Sequence, residues 1–121
     1  MSSLTTLNDD PALAEARTAT TVLDSGKTIR AVNPAYLALT LRTQDDLIGA
    51  PILEAFPAPP DPTHHGHTEL DRSMTTALRY ARQVDMRLTR YDIQDPGDGT
   101  WLRRYWACVV DPVRRVPQPD A

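Results

Sequence analysis

Three histidines, His64, His65 and His67, fall close together in the Pro-rich stretch PAPPDPTHHGH over residues 57–67. A neutral imidazole binds zinc, iron or copper, so this cluster is the first place to look for metal chemistry. Its spacing argues against that chemistry. Positions i, i+1 and i+3 in a loop fix no tetrahedral geometry, and the single thiol, Cys108, lies in a distant apolar run. No metal site is expected, and the histidines read as solvent-exposed loop residues. Cys108 reads as a small hydrophobe packed in a strand. Asp45 and Asp46 form an acidic pair that the macrodipole at a helix start accounts for. No nucleophile elbow, phosphate-cradling Gly-rich loop or paired-Cys motif occurs. Arg90 and Arg104 are the only strand charges whose parity matches apolar neighbours, and no catalytic residue is expected.

These residues belong to a chain of 121 residues, long enough for one domain with its own core. The net charge of −3 argues against a nucleic-acid surface. Acidic groups concentrate in the first 71 residues and basic ones thereafter, which reads as solvated faces, since exposed pairs contribute only about 0–1 kcal/mol. One cysteine forms no internal disulfide, and no charged-then-apolar leader precedes the fold, so a reducing cytoplasm is the expected compartment. No apolar run approaches the ~20 residues of a membrane span. Arginine far outnumbers lysine, the mark of a GC-rich genome.

Local signals place the elements. Residues 20–23 are β-branched and apolar, Asp24-Ser25-Gly26-Lys27 supplies a turn, and residues 28–32 alternate with Ile29 and Ala31 on one face, which predicts a hairpin. Asn33 is a cap and Pro34 suits the first helical position, predicting a helix over 34–41. Thr43 opens a Thr-x-x-Asp box for a helical turn ending near Ile48, Gly49 gives a left-handed exit, and Pro51 starts a turn carrying Ile52, Leu53 and Phe56. Asp10-Pro11 repeats the helix-start logic for residues 11–17. Downstream, Thr68 is the expected cap of a helix over 69–80 whose core stripe is Leu70, Met74, Ala77, Leu78 and Ala81. Residues 83–91 alternate with Val84, Met86 and Leu88 on one face. Residues 93–100 are turn chemistry, and 101–110 form the return strand of a second hairpin.

The run Val22, Asp24, Gly26 or Lys27, Ile29, Val32, Asn33, Pro34, Ala35 resembles the opening of a PAS domain, with a turn about one residue tighter than the usual Asp-x-x-Gly. Asp46-Leu47-Ile48-Gly49 followed by an apolar turn is similar to a second PAS segment, in the right order and spacing. Tyr91-Asp92-Ile93, Arg104-Tyr105-Trp106 and Asp111-Pro112-Val113 resemble paired-strand signatures of a bacterial PAS subgroup. The resemblance implies an α+β fold: a five-stranded antiparallel sheet with helices on one face and the last strand in its middle. Here the chain ends RRVPQPDA, and Pro117 and Pro119 donate no ladder bonds, so that strand is missing or replaced. A gap open on both sides leaves on the order of ten bonds unmade, at about 0.5–1.5 kcal/mol each. We therefore expect it to be filled by residues 3–7 of this or a second chain, or partly by 113–116; a sheet split into two unpaired halves counts against this. The expected organisation is a disordered stretch over 1–10, a PAS domain with its flanking helix over 11–116, and a Pro-rich tail over 117–121.

The resemblance implies a sensory or protein-interaction module in bacterial signal transduction, with a small-molecule pocket between sheet and helices coupled to homodimerisation or a partner output domain. The expected ligand wall is Tyr36, Leu39, Phe56, Met74, Leu78, Met86, Leu88 and Trp106. No cofactor is specified. Haem-binding members take their histidine from the long helix after the loop, and no histidine follows His67; flavin-binding members carry an Asn-Cys-Arg context absent here. The alternatives are a ligand-free dimerisation scaffold and a small α+β cyclase- or isomerase-like enzyme, which needs an acid or base inside the pocket.

Overall fold

The structure, a computed structural model, describes residues 17–112. The stretch 1–10, nearly all of the helix expected over 11–17, the tail 117–121 and both candidate filling segments, 3–7 and 113–116, lie outside the described residues. The chain divides after Ala55 into two compact units.

In the first unit, β1 (Thr21–Leu23) and β2 (Ile29–Val32) pair antiparallel, with Thr21 opposite Val32 and a bulge between Val22 and Leu23. Asp24 shapes the turn: its carboxylate accepts from the amides of Gly26 (2.9 Å) and Thr28 (3.0 Å) and from Arg30 Nε (2.9 Å). These bonds, the Thr28 amide first, hold its carboxyl below the usual range. The left-handed residue is Lys27 (φ 65°), not Gly26. The turn is therefore not one residue tighter; Lys27 stands where Asp-x-x-Gly has its glycine. A left-handed L-residue costs about 1–2 kcal/mol and glycine's extra entropy offsets about 0.5–1 of that. Lys27→Gly should thus raise the urea midpoint, by up to about 1 kcal/mol of stability. An unchanged midpoint would mean that the Lys27 side chain offsets the strain.

The other edge of β2 is covered. Gly49 donates to Ile29 O (2.8 Å), Ile29 to Ala50 O (2.9 Å) and Ile52 to Lys27 O (2.9 Å), while Ile29 and Ala31 are fully buried. Three short helices follow as the caps dictate: α1 (Pro34–Thr40), α2 (Gln44–Leu47) and α3 (Ile52–Ala55). Asn33 caps α1 through the Tyr36 amide (2.9 Å). Thr43 and Asp46 form the reciprocal box, which lowers the Asp46 pKa, and Gly49 exits at φ 89°.

In the second unit, α4 (Gly66–Tyr80) begins three residues before the expected start, so Thr68 lies within it and His65 is the N-cap, without a side-chain bond. The reason lies at Gly66. A Cβ there would stand 2.1 Å from Arg90 O and 3.1 Å from the Tyr91 Cα, so only glycine lets the helix start against that backbone. The buried face is Gly66, Ser73, Met74 and Ala77. Leu78, one residue and about 100° beyond Ala77, is 48% exposed and leaves the expected stripe.

Helix α4 packs on β3 (Val84–Arg90), which pairs antiparallel with β6 (Tyr105–Val110). Met86 is an extra residue between the Asp85–Val109 and Arg87–Cys108 pairs, and Arg87 takes φ 57°. This bulge reverses the alternation. Val84 and Met86 are half-buried as expected, but Leu88 turns outward, 74% exposed, and Thr89 turns in. The return strand is also broken: β5 (Trp101–Leu102) pairs with β4 (Ile93–Gln94), so Ile93 is a buried strand residue rather than part of the turn.

The architecture is α+β, with helices and antiparallel strands throughout. Among the described residues the strands form three two-stranded sheets.

Candidate functional site: a polar corner at Asp92

Between β3 and β4 the chain turns at Tyr91 and Asp92, facing Arg103 and Arg104. The Tyr91 amide donates to Arg104 O (3.0 Å). Asp92 is buried and fully engaged. Its Oδ1 accepts from Arg90 Nε (3.1 Å) and the Arg104 amide (3.3 Å), and its Oδ2 from Arg90 Nη2 (2.7 Å). Asp61 Oδ2 lies 3.7 Å from Arg90 Nη1 on the solvent side. The Arg90 guanidinium holds the Asp92 carboxyl below the usual range against the opposing effect of burial, with the Arg104 amide adding to it, and Asp92 in turn raises Arg90. Asp61 is lowered mainly by hydrogen bonds from Thr63.

His64 closes the corner from the loop. Its Nε2 accepts from the Asp92 amide (3.0 Å), so the neutral ring carries its proton on Nδ1, which is buried without a hydrogen-bond partner. The ring meets Tyr91 edge-on at 5.8 Å, and His67 lies tilted at 6.3 Å from the same ring. The Tyr91 hydroxyl donates to Phe56 O (2.5 Å), and Trp106 Nε1 donates to Tyr91 O (2.6 Å). The expectation of three exposed loop histidines is thus corrected: only His65 is exposed, because His64 serves as an acceptor for β-corner backbone and His67 lies in α4. No group of three His, Cys, Asp or Glu placed to hold a metal occurs among the described residues.

The expected wall residues separate. In the second unit Phe56 and Met74 are buried, and Phe56 and Trp106 are tied to one corner through Tyr91. Met86 and Trp106 are half-buried on the inner face of the hairpin, with Cys108, whose thiol burial pushes up. Leu78 and Leu88 face outward. In the first unit Tyr36 is half-buried and Leu39 is 47% exposed. Asp61, His64 and the Arg90–Asp92 fork were not legible as one site; the tripeptides Tyr91-Asp92-Ile93 and Arg104-Tyr105-Trp106 were the signal that could have found the corner. Arg90, a strand charge whose parity matches apolar neighbours, is occupied by Asp92 and Asp61.

Because the folded Asp92 pKa lies below its unfolded value of about 3.9, the stability it contributes is complete above that value and lost as pH falls through the folded pKa. Urea midpoints should therefore decline on acidification below about pH 4, and Asp92→Asn should flatten that decline. An equal slope in the variant would contradict the assignment.

Two hairpins, short capped helices and one long helix laid on the second hairpin define a small α+β module. A family model described as PAS fold matches residues 13–116, and the chain belongs to that family. It is, in general terms, a sensory or interaction module. Comparison with curated proteins and with solved structures gave no match. No helix among the described residues is long and apolar enough to cross a membrane.

Proposed function

We propose that this chain is a non-catalytic module of bacterial signal transduction that works as a homodimer and binds a small molecule against the inner face of the β3–β6 hairpin. The observation that carries the interaction part is the outer face of that hairpin, where Leu88, Tyr105 and Val109 are 74%, 57% and 57% exposed. Apolar side chains gathered along one face of the hairpin mark it as an element that interacts with another chain. Half-buried Met86 supports the ligand part, since an unbranched thioether adapts to whatever packs against it, and half-buried Trp106 and Cys108 share its face. Phe56 and Met74, both buried in the same unit, complete the proposed wall. The single cysteine, with no other thiol to pair within the chain, supports a cytoplasmic setting. Burial of Phe56 and Met74 favours, as the second reading, a scaffold with a filled core and no ligand.

Sedimentation over a range of concentrations tests the interaction part. A reversible dimer is expected, and a monomer at every concentration would overturn it.

A further inference from the structure

We propose that the homodimer, on the reading above, forms by antiparallel pairing of β6 with β6 of a second copy, centred on Ala107. Tyr91 donates to Arg104 O, so the Arg104 peptide groups point toward β3. Alternation along β6 then turns Trp106 and Cys108 to β3 and leaves the N–H and C=O groups of Tyr105, Ala107 and Val109 on the outer edge. Among the described residues that edge has no partner strand. Natural edges are blunted by lysine, proline, inward charges, bulges or short length. The six residues of β6, YWACVV, carry none of these, and the bulge of this hairpin lies on β3. By contrast β1 is three residues long and bulged.

The register follows from self-complementarity. With Ala107 opposite Ala107 across a two-fold axis, Tyr105 faces Val109 twice, and all six outward backbone groups of each copy are matched. Aromatic and β-branched side chains then meet across the strands. The same register sets exposed Arg103 opposite exposed Asp111 of the other copy, at both ends of the pairing. Shifting the axis to Cys108 sets Tyr105 against Asp111 and loses both ion pairs. Charge complementarity thus selects the Ala107-centred register, and the product is a four-stranded sheet whose outer face is apolar.

The test is Ala107→Cys in a Cys108→Ala background, oxidised with oxidised glutathione and read on a non-reducing gel. In the proposed register the two new thiols sit on Cα atoms about 5.5 Å apart, within disulfide range. Leu88→Cys in the same background, one strand further back on each side, sits about 14 Å from its mate and should stay unlinked. Native Cys108 pairs, roughly 8 Å apart, should link poorly. Arg103→Glu and Asp111→Arg should each weaken the dimer roughly tenfold, and the double exchange should restore it. Efficient Leu88→Cys or Cys108 linkage, or a dimer in which Ala107→Cys stays unlinked, would overturn the edge pairing while leaving the homodimer standing. A chain that sediments only as monomer would overturn both.

Discussion

Adding one methyl group at Gly66 is expected to disrupt the second unit. The alanine Cβ would stand 2.1 Å from Arg90 O and 3.1 Å from the carbonyl carbon behind it, both backbone atoms of the β3–β4 corner. No rotamer relieves that clash, so α4 or the corner must move. The corner is the less able to do so, because Arg90, Tyr91 and Asp92 are held by Arg104, Trp106 and His64. Overpacking against side chains costs about 1–3 kcal/mol, and against fixed backbone we expect at least about 3 kcal/mol, a large part of a small domain's stability. Gly49→Ala is the control. Gly49 has positive φ but open space around its Cβ position, so only the left-handed penalty of about 1–2 kcal/mol applies. Urea midpoints compare the two directly. Equal losses would mean that the helix start does not press on the corner.

Asn33→Ala is the second large effect, in the first unit. One buried amide makes three bonds to described residues: Oδ1 accepts from the amides of Tyr36 and Thr20, both at 2.9 Å, and Nδ2 donates to Thr18 O at 2.8 Å. Thus the residue that caps α1 also ties down the chain entering β1. Losing the cap costs about 0.5–2 kcal/mol, and the part-buried Thr20 amide left unsatisfied costs about 1–3 more, while the Thr18 carbonyl keeps the Thr20 hydroxyl (2.9 Å). A total of about 2–4 kcal/mol is expected. Asn33→Asp keeps both acceptor bonds but sets a carboxylate against the Thr18 carbonyl, so its loss should be intermediate. A loss below about 1 kcal/mol for Asn33→Ala would show that the Thr20 amide finds another partner.

These two residues also show what a sequence discloses. The capping and exit roles of Asn33, Pro34, Thr43 and Gly49 fall on backbone within a few positions of themselves, so their spacing alone predicts α1, α2 and the exit from α2, whereas the Asn33 bonds to Thr18 and Thr20 are not signalled. Gly66 and His64 act on backbone more than twenty residues away, and nothing near them in the chain signals it. The bulge at Met86 and Arg87 is hidden for a different reason. Arginine is an unusual left-handed residue, so the alternation of residues 83–91 reads as unbroken, and Leu88 is placed on the wrong face as a result. Lys27 conceals its turn in the same way. The Asp92 corner needed three separate segments to meet, of which only the two strand tripeptides were visible in advance.

The most direct test of the proposed role is native mass spectrometry of gently purified protein, since one spectrum reports both subunit number and any retained small molecule. The account predicts twice the chain mass with an added ligand mass that is lost on denaturation. A clean single-chain mass with nothing bound would contradict it.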